Sequence, residues 1–206
     1  MMRRNLKCLL NAVLLMSSLN AIAADLTYNR GWSFAASGAA SYLLHTNDEL
    51  KAMMDSHVYP VFDIRAGYTT SPDKGGLYES EYNYPSYGFG FTYSNLNSIA
   101  YSGSSHLNDM FDLYAFFDRD IIRRKHFAFG YELLFGVGLS DNKYDSEHNE
   151  LNHIINSFVV FDIGMGPYAR FRLSPQFELD AALKFRHHSF GKLSYPNSGI
   201  NEFVGS

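Results

Sequence analysis

From residue 127 to residue 190 the chain places apolar side chains at every second position over runs longer than a soluble strand usually sustains, and this alternation restricts the folds open to it. In Phe127 to Leu139 the odd positions carry Phe127, Phe129, Tyr131, Leu133, Phe135, Val137 and Leu139, while the even ones carry Ala128, Gly130, Glu132, Leu134, Gly136 and Gly138. The stretch from Phe158 to Phe171 sets Val159, Phe161, Ile163, Met165 and Phe171 against Asp162, Gly164, Gly166, Tyr168 and Arg170. Phe177, Leu179, Ala181, Leu183 and Phe185 stand in the same way against Glu178, Asp180, Lys184 and Arg186. A period of two belongs to a strand, with one greasy face and one small or charged face. Such runs exceed the ~5 to 6 residues of a typical soluble strand and reach the ~9 to 11 of a tilted membrane strand. A barrel that turns its greasy face to lipid leaves no backbone edge unpaired in hydrocarbon.

Composition agrees. Phe 17, Tyr 15 and Trp 1 make up 16% of the 206 residues, and charged residues are 18%, below the ~25% of soluble domains. Beyond the first two dozen residues no run approaches the ~18 to 20 apolar residues of a transmembrane helix, which excludes a helical membrane protein. Those first residues read as a secretory signal: Arg3, Arg4 and Lys7, then the apolar Cys8 to Met16, then Ala21-Ile22-Ala23 as cleavage site. The expected organisation is a signal peptide over 1–23 and one barrel domain over 24–206. Removing three basic residues from 17 basic and 21 acidic leaves 14 and 21, a net charge of −7, which disfavours nucleic acid as a partner. The single cysteine, Cys8, leaves with the signal, so no disulfide or cysteine-bound metal is expected.

Strands are expected near 30–45, 57–70, 83–95, 109–118, 126–139, 156–172 and 176–190, with an eighth from about Ser198. The class is all-β: an eight-stranded antiparallel up-and-down transmembrane barrel, its eighth strand expected to be truncated. With the N-terminus in the periplasm, Arg119 to Lys125 and Leu173 to Pro175 are short periplasmic turns. Asn47 to Ser56, Leu96 to Asn108 and Ser140 to Ile155 are longer polar outer loops. Trp32, Tyr42, Tyr59, Tyr68, Tyr87 and Tyr93 are expected in the interfacial girdles. Ser71 to Tyr82 is too long for a tidy turn and has no account from sequence.

Chemistry concentrates at the end of the seventh strand, Arg186-His187-His188-Ser189-Phe190-Gly191. Parity puts His187 and Ser189 on the lipid side and His188 in the lumen. A histidine and a serine two apart on one face can act as general base and nucleophile, although H-x-S alone also fits a rim of interfacial polar residues. A metal is not expected, because His187 and His188 diverge and no carboxylate has ligand spacing with them. No cofactor is expected either.

The wider string from His187 to Asn201 contains H-x-S and then Pro196-Asn197-Ser198-Gly199-Ile200. It resembles the end of the lipid A deacylase (acyloxyacyl hydrolase) family of outer-membrane barrels, whose pattern is H-x-S followed by P-N-x-G-I. Looser similarity extends back through Pro85 to Gly90 and the glycine-rich strand before Pro167. The resemblance implies His187 as base and Ser189 as nucleophile. The family's orienting Glu falls at Asn201, next to Glu202, and its Asn after the serine is replaced by Phe190; backbone amides near Gly191 are the available substitutes. The implied function is hydrolysis of an ester-linked acyl chain of lipid A in the bacterial outer membrane, with lipopolysaccharide as partner and a homodimer left open. The alternatives are a non-catalytic structural or adhesive barrel and a soluble lipid carrier of lipocalin type.

Overall fold

The computed structural model describes residues 31–45, 51, 54, 56–70, 76–99, 107–140, 144–149, 152–191, 195 and 198–206; the signal-peptide expectation lies outside them. Eight strands form a closed barrel in which each pairs with its chain neighbours and the last with the first. They are β1 Trp32–Leu44, β2 Val58–Thr69, β3 Ser86–Ser94, β4 Met110–Arg123, β5 Phe127–Ser140, β6 Val159–Arg172, β7 Glu178–Ser189 and β8 Ile200–Gly205. All pairings are antiparallel, and β8, only six residues long, pairs with both β1 and β7. No described helix is long and apolar enough to cross a membrane.

Facing follows parity. Phe135, Ile163, Met165 and Leu183 are 60%, 48%, 61% and 54% exposed, whereas the alternate Asp162, Glu132 and Tyr168 are at most 4% exposed. A closed sheet that exposes large apolar side chains all round and buries its charges matches a barrel set in hydrocarbon and inverts what water demands. The inverted carrier of lipocalin type is therefore excluded. Inside, toward the short-turn end, Arg65 binds Glu132 at 2.6 Å and Asp180 at 3.2 Å. Lys184 reaches Glu132 at 2.9 Å, and Arg170 reaches Asp180 at 2.9 Å and Asp118 at 3.3 Å. Eight strands leave a lumen that side chains fill.

Several expectations are corrected. Strand β4 runs to Arg123, not 118, because Asp118 and Asp120 are lumenal groups (2% and 3% exposed) whose charge reads as turn in sequence. A register shift between Asp120 and Ile122 interrupts its pairing with β5. Strand β3 starts at Ser86 because Asn83 and Tyr84 take left-handed φ of 59° and 54°, and the Asn83 amide donates to the carbonyl of Asp120 at 2.9 Å. Part of the unexplained connection is a short helix, α1 Leu77–Glu81. Tyr59 is not in a girdle: it faces inward, 1% exposed. Trp32, Tyr68 and Tyr87 do line up across three strands, with ring centroids 5.6 and 6.2 Å apart. The long-end loops are not simply polar. Met54, Leu96, Ile99, Leu107, Ile154, Ile155 and Phe190 pack with Leu43, Met110, Val160 and Ile200 into an apolar plug over the lumen.

Phe161 lies three residues into β6 and opposite Ser189. Met165, opposite Leu133 and Phe185, is the mid-strand position. Met165→Arg should therefore cost about 2 to 4 kcal/mol of stability and Phe161→Arg only about 0 to 1. Gly164→Ala on the lumenal side should cost about 1 to 3 kcal/mol by overpacking, because its Cβ would lie 3.0 Å from the side chains of Arg186 and Leu134. Urea titration of vesicle-embedded protein measures all three, and equal costs for the two arginine variants would refute the depth assignment.

Candidate active site

At the long-loop end, β6, β7 and β8 lie side by side, with His187 opposite Ile163 on one side and Asn201 on the other, and Ser189 opposite Phe161. Opposed residues of adjacent strands share a face, so His187, Ser189 and Asn201 all lie on the outer, lipid-facing side. The ring Nδ1 of His187 is 2.8 Å from the side-chain oxygen of Asn201. An amide oxygen can only accept, so Nδ1 carries the proton and Nε2 is left as the basic nitrogen. Ser189 Oγ accepts a hydrogen bond from the Gly191 backbone N–H at 3.1 Å. This places a backbone donor at the Ser189 hydroxyl, in the region expected to replace the family's Asn.

The turn into β8 is held tightly. Gly199 has φ +69°, and a Cβ there would come within 2.9 Å of the His188 carbonyl and 3.1 Å of the His187 ring, so the position needs a residue without a side chain. The Gly199 and Ser198 amides donate to the carbonyls of Ile154 at 3.0 Å and His153 at 3.3 Å. The loop before β6 thus fixes the start of β8, and with it Asn201.

Parity decides between the two candidates for orienting His187. Asn201 faces it, whereas Glu202 points into the lumen, fully buried, where it accepts from Ser41 at 2.5 Å and from Tyr59. Phe190 continues the inward series from His188 and is 5% exposed, packed in the apolar plug. Below His187 and Asn201 the same outer face carries Phe185 and Phe203, their rings 5.7 Å apart edge to face. Beside Ser189, Phe161 stacks on Phe135 at 6.4 Å. A polar group at the rim therefore stands over an aromatic and aliphatic slope that descends toward the membrane centre.

The sequence missed a second constellation. His188 Nε2 lies 3.2 Å from Asp112 Oδ1 and 3.4 Å from Asp162 Oδ1, all three residues wholly buried. The argument that no carboxylate has ligand spacing is overturned, because closure brings these two from β4 and β6 and the relevant proximity is not one of sequence. The available signal was parity: Asp112, Asp162 and His188 all fall on lumenal positions of their strands.

The model of the family described as Lipid A 3-O-deacylase (PagL) matches residues 61–206, from within β2 to the end of β8. Neither the curated proteins nor the solved structures give a match.

Because Phe190 anchors the plug, Phe190→Ala should lower stability by about 3 to 5 kcal/mol. Phe190→Asn should do no better, since its amide would be buried among apolar groups, and it should not raise activity. Loss of the folded, fast-migrating electrophoretic form at a lower temperature measures the first effect; a gain in activity for Phe190→Asn would show that the residue reaches the site. The match over 61–206, together with the closed eight-stranded barrel, shows that the chain belongs to the lipid A 3-O-deacylase family.

Proposed function

We propose that this chain is an outer-membrane esterase that hydrolyses the 3-O-linked acyl ester of lipid A, with Ser189 as nucleophile, His187 as general base and Asn201 as the group that orients the histidine. The observation that carries the reading is the His187–Asn201 hydrogen bond of 2.8 Å on the lipid-facing side of the rim. A polar pair at such a position is costly unless paired or used, and an outer-leaflet glycolipid presents its esters at that depth. The reading includes cleavage of residues 1–23 on export and places the long-loop end outside the cell.

Ser189 Oγ attacks the ester carbonyl while His187 Nε2 takes its proton, and Asn201 holds the ring in the tautomer that makes this possible. Negative charge then develops on the carbonyl oxygen. The Gly191 amide, 3.1 Å from Oγ, is the backbone donor offered to it, and one such donor contributes roughly 2.7 to 4 kcal/mol. Collapse of the tetrahedral intermediate breaks the C–O bond to the sugar, and His187 returns the proton to that oxygen, leaving a free hydroxyl and an acyl group on Ser189. Water, deprotonated by His187, then releases the fatty acid and restores the serine. The acyl chain lies along Phe161, Ile163, Phe185 and Phe203, so it need not leave hydrocarbon.

Ser189→Ala and His187→Ala should abolish fatty-acid release while the barrel still assembles, because neither side chain takes part in the backbone ladder. Asn201→Ala should slow turnover on the order of a hundredfold or more, as loss of the orienting partner mis-sets the tautomer. Asn201→Glu should preserve or raise activity, since a carboxylate stabilises the imidazolium better than an amide. Mass spectrometry of lipid A from cells expressing the full-length protein and each variant reads all four. If the folded wild type releases no acyl chain from any lipid A, the reading fails and a non-catalytic barrel takes its place.

A further inference from the structure

Among the described residues, eight buried side-chain N or O atoms lack a hydrogen-bond partner, and four of them meet at one place in the lumen: Asp112 Oδ1, His188 Nε2, His188 Nδ1 and Glu202 Oε1. Buried polar atoms are almost always satisfied, so four orphans together require an explanation. The same cluster is unbalanced in charge. Asp112, Asp162 and Glu202 bring three carboxylates, each wholly buried, against the one guanidinium of Arg186, 3% exposed. With a neutral His188 the net charge is −2, in a place that neither water nor bulk counterions reach.

We propose that Asp112, Asp162 and His188 form a buried site for one divalent first-row cation of the zinc type. The three donor atoms lie within 4.8 Å of one another, and the two edges from His188 Nε2 are 3.2 and 3.4 Å. Bonds of about 2.0 to 2.1 Å in a tetrahedron give edges of about 3.3 to 3.4 Å. One imidazole and two carboxylates suit zinc and its neighbours, whereas calcium takes six to eight oxygens.

The surroundings are those of a metal's outer shell. Arg186 Nη2 holds the other oxygen of each aspartate, Asp162 Oδ2 at 2.5 Å and Asp112 Oδ2 at 3.0 Å; Asp162 Oδ1 also accepts from Arg186 Nε at 3.3 Å, and both Oδ1 atoms lie within 3.4 Å of His188 Nε2. Behind the ring, His188 Nδ1 is 3.8 Å from Glu202 Oε1, while Glu202 Oε2 is fixed by Ser41 and Tyr59. Nδ1 and Oε1 face each other about half an ångström beyond hydrogen-bond distance, and a small approach on ligation of Nε2 would let Nδ1 donate. An ion on Nε2 and Asp112 Oδ1, with Nδ1 donating to Glu202, satisfies all four orphan atoms. Gly138 on β5 makes room: a Cβ there would lie 2.5 Å from Asp112 Oδ1. Since the three ligands have no exposure, the ion is captured as the barrel closes.

The test uses full-length protein refolded in detergent with Zn2+, freed of loose metal by gel filtration, its metal measured by plasma mass spectrometry. About one zinc per folded barrel is expected, and Ser189→Ala should keep it, which separates the site from the proposed catalysis. His188→Gln and Asp112→Asn should lose at least tenfold in occupancy. Refolding the wild type with Co2+ should give the intense visible bands of low-coordinate cobalt, a readout that stands even if the variants do not fold. Folded wild type holding less than about a tenth of an equivalent of zinc, with cobalt showing only its aqua-ion spectrum, would overturn the proposal and leave a protonated His188 bridging the aspartates.

Discussion

In hydrocarbon a backbone amide without a partner has no water to turn to, and every feature of this barrel depends on how the last edge is closed. Closure falls to β8, six residues paired on one side with β1 and on the other with β7. The register that does it sets Asn201 opposite His187 and Glu202 opposite Arg186. One alignment thus delivers an amide to the outer histidine and a carboxylate to the inner cluster. A slip of one residue would put a carboxylate toward lipid and an amide among buried cations, reversing both. Register here is specified by the cost of the wrong face, not by the length of the pairing.

The interior is arranged in two ways along the axis. Toward the short turns, Arg65, Arg170 and Lys184 interleave with Asp118, Glu132 and Asp180. Each charge has opposite neighbours, so removing one member would strand another in a poorly solvated place, at roughly 3 to 5 kcal/mol for a buried pair. Toward the long loops the lumen is closed by apolar side chains. That plug keeps water from the Asp112, Asp162, Arg186, His188 and Glu202 group, which is why its unpaired atoms and surplus negative charge matter there and would not at a wet surface.

Strand number, strand parity and the outward face were legible in the sequence because a lipid-facing barrel writes a strict period of two, and Phe135, Ile163 and Leu183 all stand where that period puts them. The place of Asn201 beside His187 was implied by the family resemblance, and the register of β8 is what turns Asn201, not Glu202, to the ring. What failed was whatever a charge or an aromatic signifies without its partner. Asp118 and Asp120 read as turn residues because the lumenal donors that Arg170 and Tyr168 bring to them from β6 lie about 50 positions away in sequence. Tyr59 reads as a girdle residue because its acceptor, Glu202, arrives only with the final strand. The outer loops read as polar because Leu96, Ile99, Leu107, Ile154 and Ile155 are scattered among polar residues and converge only in space. Local pattern reports which face a residue takes; long-range pairing decides what it does there.

The four residues from Arg186 to Ser189 show how the two sides of the sheet constrain each other. Arg186 and His188 are fixed within the lumen, 3% and 0% exposed, by partners on β4, β6 and β8. His187 and Ser189 alternate with them and, in the proposed reaction, must tolerate lipid and substrate on the open side. A strand free to shift could not keep an imidazole and a hydroxyl in reacting geometry, where displacements of about 1 Å cost on the order of a hundredfold in rate. In the proposed reaction the inner pair would supply that rigidity through the backbone, from the lumenal side. The same logic accommodates an amide at 201, a position half in lipid, where a carboxylate would bear a desolvation cost that a neutral group avoids. An amide keeps the tautomer and gives up part of the charge stabilisation, a balance available only because the acidic neighbour, Glu202, is committed to the other face.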